Sequence, residues 1–405
     1  MRDPQPVSTD ELEDFELACR RAFHDDAHPQ DVALDVRTTE ADRTLVIREG
    51  GEIVATAGAL TRDMIVPGGR AVPVGAVTAV GVAPGHTRRG HLGALMRRQL
   101  DDIHAAGEPL AILWASEGLI YGRYGYGSAT RRVTYDVQRR LAELRRDLPL
   151  PGRGARLSDP AEAVPDMRAA HKALRSGRPG LLDRDDLRWE RVIYDPEHSR
   201  RGFGAQRAVI QPGPDGEPAG YALYAVTEEW DEHGPAGRMR VRELLAATPE
   251  AHLGLWRYLL SIDLTRTVSW PRAPDHDPIA HALRNSDAVA RRIEPHGLWV
   301  RVVDAAAALA ARAYSAPLDV VLEIEDAFCP WNTGRYRLTN DGCELTDGDP
   351  DLALDAEALG AAYLGGTPLL ALGAAGRVRE LAPGTLAAAS TAFGGFAEPY
   401  CPDLF

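Results

Sequence analysis

Residues 77–103 read VTAVGVAPGHTRRGHLGALMRRQLDDI, and residues 110–127 read LAILWASEGLIYGRYGYG. The first run is apolar as far as Pro84. A loop of glycine, histidine and arginine follows, and then a pattern spaced for a helix. Leu92, Leu95, Met96, Gln99, Leu100 and Ile103 recur at intervals of three and four, so one helix face is largely apolar. Leu110 to Trp114 returns to strand and leads into a loop that carries Tyr121, Tyr124 and Tyr126 among three glycines. Strand, loop, helix, strand and tyrosine loop together point to an α+β domain with its site where the loops meet.

The chemistry of the first loop narrows this. Pro84 has no amide hydrogen and suits a strand end. Gly85 and Gly90 allow a tight turn and close approach of a ligand to the backbone. A helix starting near Arg89 to His91 points unpaired amides and the positive end of its dipole back into the loop. Such an arrangement suits a pyrophosphate, and Arg88 and Arg89 add charge and forked donors. The stretch is neither GxGxxG nor a glycine loop ending in lysine, which removes the two commonest nucleotide sites. The same residues also read as a solvated basic helix start whose glycines serve only the turn.

In the second loop, a phenol with an ordinary pKa of roughly 10 is a proton donor at neutral pH. It can deliver that proton to a departing thiolate. Tyr121 and Tyr124 read better as core packing at a sheet edge. Tyr126, between Gly125 and Gly127, is the candidate for chemistry.

The chain has 405 residues, more than one ordinary core requires, and implies two or three domains. A net charge of -13 argues against a nucleic-acid binder and favours a cationic ligand. Cys19, Cys329, Cys343 and Cys401 are scattered without metal spacing, so reduced thiols, a cytoplasmic location and no metal are expected. No segment has the look of a signal peptide or a membrane span, so no membrane partner is expected.

Outward from the opening stretch, Leu12, Phe15, Leu17 and Cys19 are expected to line the buried side of a first helix. Leu45–Arg48 and Ile53–Leu60 read as strands around EGGE, and Met64–Val66 and Val72–Val74 as a hairpin around PGG. Thr130–Val137 is expected to close this first sheet. Beyond a Pro- and Gly-rich basic segment near residues 141–156, the order repeats weakly. Strands at Ala208–Ile210, Tyr221–Val226 and Met239–Ala246 precede a helix with Leu253, Trp256, Leu259, Leu260 and Leu264. That copy has TPEAHLG where the first has APGHTRRGHLG, which suggests a duplicated fold without the phosphate loop, although any α+β domain can give this order. The third part has a strand at Leu298–Val303, a helix capped by Asp304, paired strands at Leu318–Ile324 and Gly334–Leu338, and helices at Ala356–Leu364 and Gly384–Phe393. The tail GFAEPYCPDLF is aromatic, so it is expected to pack against the body.

VGVAPGHTRRGHLGALM resembles the acetyl-CoA loop of the GCN5-related N-acetyltransferases. With ASEGLIYGRYGYG, DLRWERVIYDP and a terminal phenylalanine after an aromatic tail, the whole chain resembles the Eis-type (enhanced intracellular survival) acetyltransferases of actinobacteria. The resemblance implies an α+β chain with an acetyl-CoA-binding acetyltransferase domain (1–145), a degenerate second copy (146–297) and a sterol-carrier-protein-like domain (298–405). It also implies direct transfer of acetyl from acetyl-CoA to a primary amine of an aminoglycoside, polyamine or lysine side chain, often in a hexamer of two trimers. Thr87 and Leu92 depart from the general superfamily motif. Leu92 fits the Eis-type pattern, and Thr87 removes one phosphate contact.

On this resemblance Tyr126 is the general acid, and the terminal carboxylate of Phe405 receives the amine's proton. Val80, Val82, Ala83, Arg88, Arg89, Gly90, Ser116 and Glu117 hold acetyl-CoA. Phe23, Asp25 and Asp26 wall the amine pocket, although the two acids also read as a solvated turn. His86 and His91 lie in the phosphate loop and are not needed as bases. Leu404 stands where the family commonly has an acid, with Asp403 one earlier. The rival class is a non-enzymatic binder that carries a lipid or small molecule in the last domain.

Overall fold

The computed structural model describes residues 3–294 and 297–405, which form two compact units. The first is built from the described residues of Met1–Thr130, Pro179–Leu187 and His296–Phe405, the second from Arg131–Arg178 and the described residues of Arg188–Pro295.

The first unit is organised on a seven-stranded sheet. Its strands are β1 (Gln5–Pro6), β2 (Thr44–Glu49), β3 (Glu52–Ile65), β4 (Ala71–Val82), β5 (Leu110–Trp114), β6 (Gly127–Ser128) and, from far along the chain, β16 (Leu298–Val302). Their order is β1-β2-β3-β4-β5-β16-β6. Helices α1 (Leu12–Phe23), α2 (Pro29–Thr38), α3 (His91–Ala105) and α4 (Gly118–Tyr121) belong to the same stretch. β2, β3 and β4 form an antiparallel meander, joined through Gly50–Gly51 and Gly68–Gly69, all with positive φ. α3 then crosses over, so β5 lies parallel to β4.

Residue alternation along β4 and β5 divides the two faces. Val77, Ala111 and Leu113 pack with Met96, Leu100 and Ile103 of α3. Val74, Ala76, Leu110 and Ile112 join the opposite core. Met96, Leu100 and Ile103 are buried almost completely, each stabilising the fold by about 1.5–3 kcal/mol before entropy is counted.

That opposite core is shared with the C-terminal residues. A five-stranded sheet of β17 (Asp319–Glu325), β18 (Gly334–Thr339), β19 (Gly342–Leu345), β20 (Leu352–Asp355) and β21 (Val378–Glu380) has the order β19-β18-β17-β20-β21. Helices α9 (Ala305–Ala311), α10 (Ala356–Ala362), α11 (Leu369–Ala374) and α12 (Thr385–Phe393) complete it. Asp304 caps α9 by accepting from the Ala307 amide, as expected, and Asp355 caps α10 in the same way. Leu322, Leu338, Leu359, Tyr363 and Phe393 pack on each other and, in one cluster, on Val74, Leu110 and Val300 of the first sheet.

The second unit repeats the arrangement. β7 (Arg132–Gln138), β8 (Arg156–Ser158), β9 (Arg207–Pro212), β10 (Pro218–Val226), β13 (Gly237–Ala246), β14 (Thr265–Ala273) and β15 (Val289–Glu294) have the order β15-β7-β14-β13-β10-β9-β8. A two-residue hairpin, β11 (Trp230–Asp231) with β12 (Gly234–Pro235), stands apart. Among its helices, α7 (Pro249–Ser261) crosses from β13 to a parallel β14, as α3 does between β4 and β5. Trp256, Leu255 and Leu259 of α7 pack with Tyr135, Met239, Val241 and Trp270. Repetition of the meander and the parallel crossover is the duplication that the sequence pattern suggests.

Two strands sit differently from the sequence expectation. Arg132–Gln138 does not close the first sheet; it lies between β14 and β15 in the second. Leu298–Val302 does not open a third sheet; it lies between β5 and β6 in the first. The boundaries that the resemblance implies at residues 145 and 297 therefore do not coincide with the strand content of the two sheets. Periodicity reports that a segment is a strand, and both segments are strands, but it carries no information on the neighbour chosen.

Candidate active site in the first unit

The site begins where β4 and β5 part. Their pairing runs from Val74 with Leu110 to Val77 with Leu113 and stops, although β4 continues to Val82. β4 also bulges here: Gly58 faces Thr78 and Thr56 faces Gly81, so Ala79 and Val80 oppose Ala57 alone. Ala79 has φ 52°, a left-handed conformation a non-glycine residue adopts only under constraint, and the Thr56 hydroxyl donates to its carbonyl at 2.8 Å. Bulge and parting strands together open a cleft edged by Val80 and Val82, both half-buried.

Beyond Val82, the Ala83 amide donates to the Val54 carbonyl at 2.8 Å and the His86 amide to the Ala83 carbonyl at 3.0 Å. The loop then runs exposed through Arg88, with φ 62°, and Arg89 to Gly90, with φ 85°. Gly90 is the residue before α3, so the helix starts at His91. No Arg88 side-chain bond is present among the described hydrogen bonds, and Arg89 lies over the loop, donating to the Gly85 carbonyl at 2.7 Å. Both charges are therefore beside the first turn of α3, whose amides and dipole face the loop. Ser116 and Glu117 are exposed just past the end of β5, where Glu117 precedes α4.

Tyr126 is fully buried. It packs in the cluster of Val77, Leu113, Tyr121, Trp299 and Cys329, against which Val80 and Leu92 also lie. Its ring meets Tyr121 edge-on at 6.0 Å between centroids. Its hydroxyl has no hydrogen-bond partner among the described residues. Burial raises its pKa far above the usual phenol value, against which the nearby Arg301 charge works. Tyr121 and Tyr124 are buried as well, as core packing requires, and burial pushes Tyr121 up to about 12.

The glycines of this loop serve close packing as much as bending. A Cβ on Gly127 would overlap the Glu357 carbonyl and the Ala361 nitrogen of α10. On Gly125, with φ 81°, it would meet the Arg301 guanidinium at 2.8 Å. Arg301 and Asp326 form a completely buried pair with two bonds of 2.8 and 2.6 Å, and Asp326 also accepts from the Cys329 amide. The tyrosine loop is thus seated on α10 and on this ion pair. Neither was legible beforehand, because Arg301 and Asp326 are far from the loop in sequence.

The tail reaches the same strand end from the other face. Trp114 donates its indole N–H to the Asp403 carbonyl at 2.8 Å. Trp114 and Phe405 both pack against the core on the face opposite α3. The Asp403 carboxylate takes a 2.7 Å bond from Arg184, both side chains being buried, and the Tyr400 amide donates to the Pro179 carbonyl at 2.8 Å. Leu404 is exposed and Phe405 half-buried. Asp403 is an anchor rather than a surface acid.

Phe23 ends α1, and its ring lies near the Gly81 backbone, beside the cleft. His24 caps the helix with φ 57°, and the Asp25 amide donates to the Arg20 carbonyl at 3.0 Å. Asp25 and Asp26 are exposed.

In the second unit the corresponding strand also bulges. Leu223 faces Glu243 and Tyr224 faces Val241, leaving Arg242 as the extra residue. Its guanidinium donates to the carbonyls of Tyr194 and Arg191 and to Gln206, and burial lowers its pKa to about 10. A fixed, half-buried arginine therefore stands in the second copy where Ala79 and Val80 stand in the first. α7 begins with Thr248 accepting from the Ala251 amide, so its first turn is capped by its own side chain.

Comparison with known proteins agrees with this geometry. Residues 3–129 match one acetyltransferase (GNAT) domain family, residues 180–302 another, and residues 305–402 a sterol carrier protein domain. An uncharacterized N-acetyltransferase of Streptomyces avermitilis is 45% identical over 375 residues, 91% of this chain and 90% of that one. N-acetyltransferase Eis of Mycobacterium tuberculosis is 33% identical over 377 residues, 90% of this chain and 89% of its own. The crystal structure of Eis1 from Mycobacterium abscessus superposes with a TM-score of 0.87 at 34% identity, covering 100% of both chains. The chain belongs to the Eis-type family of GNAT N-acetyltransferases, with two acetyltransferase folds followed by a sterol-carrier-like domain.

Proposed function

We propose that this chain transfers the acetyl group of acetyl-CoA directly to a primary amine of a cationic substrate, in the cleft of the first unit. The observation that carries this reading is the Tyr126 hydroxyl, buried without a partner at the edge of the parting strands. An unpartnered buried polar group costs about 1–3 kcal/mol, and a ligand atom that accepts from it recovers that cost.

In this reading the pyrophosphate lies on the α3 amides between Arg88 and Gly90, with Arg89 turned onto it. Val80, Val82 and Ala83 line the pantetheine, and Ser116 and Glu117 flank it. A β4 amide beside the bulge polarises the thioester carbonyl. The amine nitrogen attacks that carbon, the C–N bond forms, and the C–S bond breaks. The departing thiolate accepts a hydrogen bond from Tyr126 and then its proton. Each pKa unit by which the phenol exceeds the thiol costs about 1.4 kcal/mol, so a raised phenol is first a donor and only then an acid. Burial raises the thiol as well, which narrows the gap.

The substrate nitrogen loses two protons: one leaves the ammonium before attack, and the second, shed as the amide forms, balances the one that Tyr126 gives to the thiolate. A free α-carboxylate, with a pKa of roughly 3.5, takes the first from an ammonium near 10.4 only when burial moves the two together. The Phe405 carboxylate therefore attracts and orients the cation and receives its proton directly or through water. Phe23 walls the amine pocket, and Asp25 and Asp26 draw cations towards it, in keeping with the net charge of -13. Self-association into two trimers is part of the same reading; light scattering giving a single 43.9 kDa chain would refute that part alone.

A panel of polyamines, aminoglycosides and lysine peptides with acetyl-CoA tests the function. CoA release with one acetyl mass gained per amine is expected. Absence of thioester consumption with every amine refutes it.

A further inference from the structure

We propose that Glu49, His86 and His91 form a site for a zinc-like divalent transition metal beside the phosphate loop. The three come from separate elements: Glu49 ends β2, His86 lies in the loop after β4, and His91 opens α3. Their donor atoms all lie within 4.8 Å of one another. His86 Nδ1 is 3.3 Å from one Glu49 oxygen, and His91 Nε2 is 3.2 Å from the other.

Each ring nitrogen stands from its own oxygen of the one carboxylate at about the separation of two donors on a shared ion. Two donors held at about 2.0–2.1 Å on one tetrahedral ion are separated by about 3.3–3.4 Å. The distances also fit a histidine–carboxylate ion pair, but that pairing requires the ring N–H to point at the oxygen. Neither His86 Nδ1 nor either ring nitrogen of His91 makes a hydrogen bond among the described residues, although all three atoms are buried. His91 is only 4% exposed, which keeps its ring from bulk solvent. Donors at contact distance that are not aimed at each other suit a cation between them.

The ligand types select the metal. Two imidazoles and one carboxylate suit zinc and its neighbours, whereas calcium and magnesium want more oxygens. Three protein ligands leave a fourth position open. Arg89 approaches the same Glu49 carboxylate, with its Nη1 at 3.4 Å, and competes for it. A bound ion would replace that cation and tie β2, the phosphate loop and the start of α3 together.

Titration of the untagged full chain with zinc(II) by calorimetry, and with cobalt(II) by visible absorption, tests this. One equivalent is expected to bind, with the intense absorption of tetrahedral cobalt. Affinity is expected to fall about tenfold or more in Glu49→Gln, His86→Ala and His91→Ala, each checked for folding by circular dichroism. Glu49→Gln and His86→Ala keep the buried His91, so the test survives if His91→Ala does not fold. No uptake, equal affinity in the folded variants, or only the weak absorption of octahedral cobalt would overturn the proposal. No CoA is present in these titrations, so their failure is independent of the acetyltransferase reading.

Discussion

Replacing Tyr126 by Phe removes one oxygen from a site where it has no partner, and this separates stability from activity. In the free protein the hydroxyl is buried without a hydrogen bond. Leaving such a group desolvated costs about 1–3 kcal/mol, so the variant is expected to be as stable as the parent or more stable. The ring remains, with its edge contact to Tyr121 and its packing on Leu113 and Trp299. Acetyl-CoA binding, which the proposed function assigns to the phosphate loop and the β4 edge, is expected to be nearly unchanged. The chemical step loses its donor to the thiolate, and a positioned general acid contributes about 10²–10⁴-fold. Stopped-flow CoA release with an excess of amine measures the step, fluorescence titration measures CoA affinity, and a thermal melt measures stability. A melting temperature that falls by several degrees would mean that the hydroxyl has a structural partner. A rate within about twofold of the parent would remove Tyr126 from the chemistry.

Three further outcomes follow from the same geometry. Asp403→Ala breaks its buried bond to Arg184, and removal of one member of a buried pair costs about 3–5 kcal/mol; calorimetry should show lower stability, and activity should fall more than CoA affinity. Gly127→Ala drives a methyl into the backbone of α10, so it should cost about 1–3 kcal/mol and lower the rate by displacing Tyr126, read by melting and turnover together. Tyr126 and Tyr121 have pKa values above the unfolded value of roughly 10, so above that pH the folded chain holds more protons than the unfolded one. Stability is therefore fully kept below about pH 10 and lost as pH rises beyond it, with a shallower loss in Tyr126→Phe.

The sequence was most legible where function depends on local chemistry. Gly85, Gly90 and the arginines between them announce a helix start, and α3 begins one residue after Gly90. The spacing of Leu95, Met96, Leu100 and Ile103 identifies the helix face that is buried. Strand partners were not legible. Arg132–Gln138 and Leu298–Val302 exchange sheets, a choice made by long-range packing rather than by either segment's own pattern. Support for the tyrosine loop was equally hidden, since Arg301, Asp326 and α10 come from the last third of the chain. The tail was half legible: its aromatic character announced packing, but nothing local named Arg184 as the partner of Asp403.

The proposed site takes its proton donor from the loop after β5 and its proton acceptor from Phe405. Semisynthesis of the full chain with Phe405 as its amide changes one charge and almost no volume. Unchanged folding and CoA affinity are expected, with kcat/KM for cationic amines down about 10²-fold or more, the range for a positioned proton-transfer group. A well-folded amide with full activity would contradict that role for Phe405.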